Sequence, residues 1–485
     1  MRTVASQKRI IRNKLIQYAI ILAFMLLFGL LPPFGPVTNT GMKVLGIFIG
    51  CIVAWAFGEQ IWPSFLALFL LGMMEGSTVT GVFGSAVGNT TVHIVLLCLL
   101  FCDALQNSGL INFMVKRILA TKIARKGPWA LMIAFWVAGD VSCGLTNGTV
   151  VIVILLWELF YEVVDKLNLK KDSPYVAVGI ITIAITCYVG GNIMPYSSFV
   201  QICIGVMTTA DPTASMNMSS YILLQVILTA LVIVVLALFC KYVLRIRVDY
   251  VVPEDMFSAD DLKMTGKLRI MVIYLVLLVL MLVLPYYLPE SWRLTKALSR
   301  MGLVGSFVII MVALSITPDG EGGRMMNIGT AFTKVPYGLI CVVATALTMA
   351  GQLTSEATGI SKLLSIALEP LTSIGSPYLV LALFVVISII LTNIINNIVC
   401  ATILIPVGMI LVQSVNINPV VMVAVMCLTL QQGIVAPSGS VFGAMLHGID
   451  GYITSKSVYK YGTILELVLA LVVGFIGTLI ANVIM

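Results

Sequence analysis

Apolar runs of about 20 residues recur along the whole chain, and this repetition is what most constrains the fold. A helix needs about 20 apolar residues to cross the hydrocarbon of a bilayer. The chain is 60% hydrophobic and only 10% charged, whereas a soluble domain carries about 25% charged residues. The runs do not alternate polar and apolar residues, as barrel strands would. The sequence therefore predicts an all-α polytopic membrane protein embedded in a lipid bilayer.

Two polar breaks that carry asparagines interrupt apolar stretches of this kind. The first break, around Asn147, lies within 128–163, and the second, around Asn397, lies within 376–412. Unpaired polar backbone at membrane depth costs several kcal/mol per group unless it lines a cavity or a site. We therefore interpret both stretches as re-entrant hairpins that enter and leave on one side, with each break at a hairpin tip.

The basic residues predict an orientation. Loops rich in Lys and Arg stay in the cytoplasm. With a cytoplasmic N-terminus and two re-entrant hairpins, the outer side holds few of the 28 Lys and Arg, namely Lys43, Arg293, Lys296, Arg300 and Lys362. The loop that contains Arg293, Lys296 and Arg300 is the exception to the rule. The sequence thus predicts a cell (inner) membrane protein with its C-terminus outside. Because the other basic residues lie in short cytoplasmic segments, no nucleic-acid partner is implied.

The two halves of the chain match each other at a constant offset of 250 residues. Asn147 matches Asn397, and Gly109 matches Gly359. Counting the crossings on either side of a central cytoplasmic linker gives halves of opposite orientation. Inverted repeats with interrupted helices near the midplane are typical of secondary transporters.

Each half carries a second break that contains a proline four residues after a glycine. Pro195 lies in the first of these breaks, within 174–211, and Pro437 lies in the other, within 417–447. We interpret both ranges as broken transmembrane helices, although a proline can also produce a plain kink. The predicted domains are an N-terminal transmembrane helix over 1–40, a first repeat over 41–247, a cytoplasmic linker over 248–267 and a second repeat over 268–485.

A helix that is broken inside a membrane exposes N–H groups at one end and C=O groups at the other. The N–H ends attract anions, whereas C=O ends with Asn, Ser and Thr oxygens suit a small cation such as Na+. We expect cation ligands at Ser142, Thr146, Asn147, Gly190 and Gly191 in the first half, and at Thr392, Ile395, Asn396, Asn397 and Ala436 in the second. We expect contacts to a small-molecule anion substrate at Asn147, Thr149, Ser197, Ser198, Asn397, Pro437 and Ser438.

Other interpretations of these residues remain open. A transmembrane Asn is often only a hydrogen-bonding link between helices. Asp140 is an ionisable group at membrane depth, and such a group is a functional candidate. It would neutralise a bound cation, or it would carry a proton in a cation/proton antiporter of the same architecture. No HExxH motif, P-loop or Cys/His cluster indicates an enzyme, and inverted half-sites favour alternating access over a channel.

The chain resembles the divalent anion/sodium symporter family, whose fold is that of the sodium-coupled dicarboxylate and citrate carriers. The family has a Ser-Asn-Thr motif at each hairpin tip. Here the corresponding residues are Thr146-Asn147-Gly148 and Asn396-Asn397-Ile398, and Ser142 and Thr392 match the family's sodium-binding hydroxyls. The resemblance implies sodium-coupled symport of a di- or tricarboxylate-like anion. It also implies a homodimer in which a transport domain moves against a scaffold domain like an elevator.

The sequence departs from the family at two substrate positions. Gly148 and Ile398 stand where the family has tip threonines that help to hold carboxylates, and the proline-containing loops lack the usual Pro-Pro-Asn sequence. We therefore keep both positions as substrate-contact candidates and expect an anion that is less charged, larger or differently shaped. Because some relatives exchange anions without sodium, a sodium-independent exchanger is a further alternative.

Overall fold

The computed structural model describes residues 4–248, 250 and 263–485, with side chains described from residue 12 onward. Much of the predicted linker at 248–267 lies outside these described residues, as do the first three residues. The described part of the chain is helical, and its one isolated β-bridge joins Pro318 to Arg324. Among the described residues, 11 helices are long and apolar enough to cross a membrane. The all-α polytopic fold that the sequence predicts is confirmed.

The first half contains eleven helices that run in the order of the predicted elements. They are α1 (Val4–Leu27), α2 (Asn39–Ala56), α3 (Ile61–Gly72), α4 (Val79–Val87), α5 (Thr90–Asn107), α6 (Leu110–Leu119), α7 (Pro128–Thr146), α8 (Thr149–Lys166), α9 (Pro174–Gly190), α10 (Ser198–Ala210) and α11 (Met218–Leu238).

The second half follows the same order after its first two long helices. Its helices are α12 (Gly266–Val283), α13 (Arg293–Ile316), α14 (Ile328–Thr333), α15 (Tyr337–Thr354), α16 (Ile360–Thr372), α17 (Pro377–Ile394), α18 (Asn397–Ser414), α19 (Pro419–Thr429), α20 (Val441–His447), α21 (Ser455–Ser457), α22 (Thr463–Leu471) and α23 (Thr478–Ile484). Two π-helical turns join the last three into one continuous helix.

Four matched prolines start the helices that lead into the breaks. Pro128 and Pro174 begin α7 and α9, and Pro377 and Pro419 begin α17 and α19. Proline suits the first helical position because its missing N–H would be unpaired there and its φ is already helical. The chain therefore marks the start of each hairpin and each broken helix with the same residue type.

Both interrupted stretches fold back on themselves as antiparallel pairs of helices. In the first pair, the rings of Phe135 on α7 and Phe160 on α8 lie 5.4 Å apart, and both residues lie twelve positions from the tip. In the second pair, a Cβ atom built on Gly408 of α18 would lie 2.8 Å from the ring of Phe384 on α17. The two tips separate helices of nearly equal length. The side of the membrane on which each hairpin opens stays a prediction.

The match between Gly109 and Gly359 has a conformational basis. Their φ angles are +78° and +68°, in the left-handed region that glycine enters without steric penalty. Each glycine ends one helix and precedes the next, α6 or α16. Residues 91–115 form one apolar run in the sequence, but the structure divides this run between two helices with a sharp turn between them.

The apolar interior divides into three clusters. Cluster one holds side chains of the two hairpins, the two broken helices, α11 and the final helix, together with some from α3 to α6 and from α15. Cluster two joins α5 to α12 and α13 and includes Tyr196 of the first break. Cluster three joins α1 and α2 to α3 and α15 and includes Val399 near the second tip. Helix α10 of the first half packs directly on α18 of the second. The broken elements of both halves thus share one core.

Candidate functional site

Helix ends of both polarities meet at the four breaks. Helices α7, α9, α17 and α19 end there with carbonyl groups that have no partner within the helix, and α8, α10 and α18 begin there with N–H groups that have none. Such ends are partly negative and partly positive, respectively. The breaks therefore combine the groups that a cation and an anion each require.

The first hairpin tip contacts the first broken helix through a side-chain hydrogen bond. Asn147 ends α7 with a φ of +52°, a left-handed conformation in which Asn is several-fold enriched. This turn brings its side chain to Ser197, whose Oγ donates to Asn147 Oδ1 at 3.1 Å. The structure thus joins two predicted site residues that lie 50 positions apart.

Backbones of α7 and α9 touch below this tip. A Cβ atom on Gly190 would lie 2.3 Å from the carbonyl oxygen of Asp140, and one on Gly144 would lie 3.1 Å from the carbonyl oxygen of Gly190. A Cβ on Gly191 would lie 3.1 Å from Thr149 Oγ1. Glycine at 190 is therefore required by the close approach of two helix backbones, and this approach gathers carbonyl groups at one point.

Two buried side-chain oxygens on α7 have no hydrogen-bond partner. Ser142 is fully buried and Asp140 is 7% exposed, and neither Ser142 Oγ nor Asp140 Oδ1 has a partner within the described part of the chain. Nearby, Thr146 Oγ1 donates to the carbonyl oxygen of Ser142 at 2.7 Å. Buried polar atoms are nearly always paired. These oxygens have the chemistry of ligands for a small cation.

The second tip has a different local conformation. Asn396 caps the start of α18 by accepting from the N–H of Ile398 at 3.0 Å, and Asn397 Oδ1 accepts from the same N–H at 2.9 Å. The N–H of Asn397 donates to the carbonyl oxygen of Gly439 in the second broken helix at 3.1 Å. The residue before the cap, Ile395, is extended. Each hairpin tip therefore contacts the broken helix of its own half, but the backbone conformations of the two tips differ.

The second broken helix packs closely on Thr392. Thr392 Oγ1 donates to the carbonyl oxygen of Leu430 at 2.6 Å. Cβ atoms built on Gly433 and Gly439 would lie 2.4 and 2.8 Å from the carbonyl oxygen of Thr392. The carbonyl oxygen of Ala436 lies beside Gly443 and accepts from the N–H of Gly439. The Thr392 side chain is therefore bound to the carbonyl oxygen of Leu430, and its backbone packs on two glycines of the second break.

Two further residues of the second half-site escape the sequence argument. Asn393 Oδ1 accepts from the N–H of Val435 at 2.8 Å, and its Nδ2 hydrogen-bonds Oε2 of Glu466. Oε1 of Glu466 accepts from the N–H of Ile434 at 3.0 Å. Glu466 comes from the final helix and is 3% exposed. A signal was present, because Glu466 is the single acidic residue in the long apolar run that ends the chain.

A polar contact also joins the two broken helices to each other. Asn192 Nδ2 donates to Gln431 Oε1 at 2.9 Å, and the carbonyl oxygen of Asn192 accepts from Tyr221 OH at 2.8 Å. Asn192 lies just after the end of α9, and Gln431 lies just after the end of α19. The two half-sites are thus in direct contact although they lie 239 positions apart in sequence.

The remaining predicted substrate residues lie in unlike surroundings. Ser198 starts α10 and Thr149 starts α8, whereas Pro437 and Ser438 are exposed. Gly148 is buried, and a Cβ atom there would lie 2.9 Å from Ile111 Cδ1 of α6. Among the described residues, no hydrogen bond joins Asn147 or Ser197 to the second tip. The structure thus brings each tip to its own broken helix and the broken helices to each other.

Comparison with known proteins gives a match at the level of fold. No protein-family model matches the sequence, and no curated protein does. The crystal structure of the YdaH transporter of Alcanivorax borkumensis, which is described as having an unusual topology, matches with a TM-score of 0.56 and 16% identity. The match covers 90% of this chain and 97% of that one. The chain is therefore a multi-pass helical membrane protein with a fold similar to that of a transporter.

Proposed function

We propose that this protein is a secondary active transporter that couples sodium to the symport of an organic anion of di- or tricarboxylate type. The observation that carries the proposal is a set of two buried, unpartnered oxygens on α7, Asp140 Oδ1 and Ser142 Oγ, in the helix whose backbone closely approaches Gly190. Hard cations take oxygen ligands. A sodium ion bound to either oxygen would replace the hydrogen bonds that it lacks.

The anion part of the proposal rests on the helices that begin at the breaks. Helices α8 and α10 start there at Thr149 and Ser198 without a side-chain cap, and free N–H groups at a helix start attract negative charge. The tight packing of Gly148 against Ile111 leaves no room for a larger side chain without a shift. Gly148 is thus a packing position here, and a carboxylate would be held by other donors than in the related carriers.

The transport cycle that we propose moves the two hairpins and the two broken helices together, as in an elevator. These four elements share side-chain packing in cluster one, which supports this part of the proposal. The homodimer follows from the family resemblance. In this proposal the protein lies in the inner membrane with a cytoplasmic N-terminus and an outer C-terminus.

Uptake of labelled succinate and citrate into proteoliposomes tests the proposal. We expect accumulation with an inward sodium gradient and little accumulation with an equal potassium gradient. Sodium-driven proton flux without uptake of any tested carboxylate would favour the second candidate, a cation/proton antiporter, which the unpartnered Asp140 Oδ1 supports. Exchange of internal for external anion without sodium would instead identify an exchanger.

A further inference from the structure

A large cavity lies beside the first broken helix. It has a volume of about 840 Å³. Its wall is formed by the end of α12 and the first half of α13, and Pro195 of the first break lines it as well. Pro195 is two residues from Ser197, which bonds Asn147. The cavity therefore extends from the loop between α12 and α13 to Pro195 in the first break.

Two basic side chains line this cavity from one face of α13. Lys296 and Arg300 are four residues apart, which places them on the same side of the helix, and both are exposed. Neither takes part in an ion pair or hydrogen bond with any described residue. The one acidic side chain in the lining is Glu290. The wall therefore carries an excess of positive charge that this part of the chain does not neutralise.

A buried hydroxyl lies next to the basic pair. Thr295 lines the cavity and is 2% exposed, and its Oγ1 has no hydrogen-bond partner in the described structure. A buried hydroxyl without a partner loses its bonds to water and gains none in return. Because Thr295 Oγ1 itself is buried, the charged side chains that can donate to an anion in the cavity are those of Lys296 and Arg300.

The backbone of α13 changes direction at the inner limit of this basic segment. Gly302 lines the cavity and has φ +56° and ψ −160°, a conformation that is essentially restricted to glycine. The kink separates the segment that carries Lys296 and Arg300 from the apolar remainder of α13. It thus sets the direction in which the basic face points.

The same basic residues are the exception in the charge distribution of the sequence. Loops on the outer side of a membrane protein are poor in Lys and Arg, yet Arg293, Lys296 and Arg300 lie together in a segment predicted to be outside. Orientation alone gives no reason to keep positive charge there. A requirement to bind or attract an anion at this cavity gives one.

We propose that this cavity is an anion-binding vestibule that captures small multivalent anions and delivers them to the first half-site. The proposal rests on the proposed function, because it assumes an anionic substrate. Charge of one sign in a cleft with low-dielectric walls concentrates counter-ions and raises association rates. The recognised chemistry is a group of carboxylates or a phosphate. A free carboxylate and the headgroup of an anionic lipid both have this chemistry.

Binding to the purified full chain in detergent tests the vestibule without requiring transport. Thermal stabilisation by citrate is measured against chloride at equal ionic strength, in the wild type, in a Lys296→Gln/Arg300→Gln variant and in Arg293→Gln. Arg293 lies on the same helix but does not line the cavity, so it is the matched control. We expect the apparent citrate affinity to fall about tenfold or more in the double variant and to stay near the wild-type value in the control.

Equal citrate affinity in the double variant and the wild type overturns the proposal, as does the absence of any citrate stabilisation in the wild type. Repeating the titration with added phosphatidylglycerol separates the two sources of the anion. If phosphatidylglycerol competes with citrate in the wild type but not in the double variant, the cavity binds a lipid headgroup. That result overturns the proposal that the cavity captures substrate. Citrate binding at the vestibule without uptake in proteoliposomes contradicts the proposed symport alone. Sodium-driven uptake with an unchanged KM in the double variant contradicts the vestibule alone.

Discussion

At the residue scale, the site depends on glycines and buried oxygens more than on charged side chains. The sequence alone indicates Ser142 and Asn147, because a hydroxyl and an amide interrupt an apolar stretch. It does not indicate that Gly190 lets two backbones touch, because that contact joins positions far apart in the chain. Nor does it connect Asn393 with Glu466, since their hydrogen bond requires the final helix to pack on the second break.

Gly190→Ala tests the backbone junction. The new Cβ would lie 2.3 Å from the carbonyl oxygen of Asp140, so α7 and α9 must separate. We expect a loss of about 1–3 kcal/mol in stability, which is typical of overpacking, and loss of sodium-dependent uptake. Gly84→Ala is the control, because Gly84 is inside a helix and a Cβ there meets nothing within 4 Å. A melting temperature for Gly190→Ala equal to that of the control would contradict the close approach.

Glu466→Gln tests the carboxylate that joins the final helix to the second break. The glutamine amide has the size of the glutamate carboxylate, but its NH₂ group replaces one of the two acceptor oxygens. This NH₂ would then face one of the present donors, Asn393 Nδ2 or the N–H of Ile434. An unsatisfied buried group costs about 1–3 kcal/mol, so we expect a lower melting temperature and weaker sodium-dependent uptake. Glu162→Gln is the control, since the Glu162 side chain is 61% exposed. Equal behaviour of the two variants would show that Glu466 does not support the site.

At the element scale, the sequence predicts the polar interruptions of helices better than it predicts glycine turns and kinks. Both tips and both broken helices lie where polar residues interrupt apolar runs, because such residues cannot remain in an uninterrupted lipid-facing helix. The turn at Gly109 and the kink at Gly302 are less visible in the sequence, since a single glycine is also tolerated inside a helix. Their positive φ angles are known only from the structure. The contact between the two broken helices is likewise a tertiary feature.

The Asn192–Gln431 contact should act as a coupling between the half-sites. We expect Asn192→Ala and Gln431→Ala each to lower the apparent sodium affinity, and the double variant to be no worse than the more severe single variant. Residues in direct contact are non-additive in this way, with interaction energies of about 0.5–3 kcal/mol. The measurement is a sodium titration of the melting temperature in the wild type, the two single variants and the double variant. Strictly additive effects would mean that the hydrogen bond does not link the half-sites.

At the scale of the whole molecule, the repeat and the charge distribution predict more than any single motif. The offset of 250 residues anticipates the matched order of helices, because the same local pattern folds in the same way twice. The shared packing of both hairpins and both broken helices in cluster one could not be read from the sequence, since helix packing depends on contacts between distant segments. Membrane orientation rests on the charge distribution alone and needs its own test.

Fusion reporters test that orientation. Alkaline phosphatase, which folds only outside the cytoplasm, should be active when fused after Met485 and inactive when fused within the predicted linker. The physical basis is the retention of basic loops in the cytoplasm. A fluorescent protein that requires the cytoplasm should give the reverse pattern. Equal activity at both positions would place the linker and the C-terminal end on the same side of the membrane and would contradict the predicted orientation.

The central claim is that two matched half-sites bind sodium and an anion together. Initial uptake of labelled citrate or succinate, measured against external sodium concentration in proteoliposomes, tests it most directly in the wild type, Asn147→Ala and Asn397→Ala. We predict sodium-dependent uptake in the wild type and at least about a hundredfold loss in each variant, as for the loss of a ligand-positioning group, with protein yield unchanged. Uptake by both variants at the wild-type rate and with the wild-type sodium dependence would contradict the account.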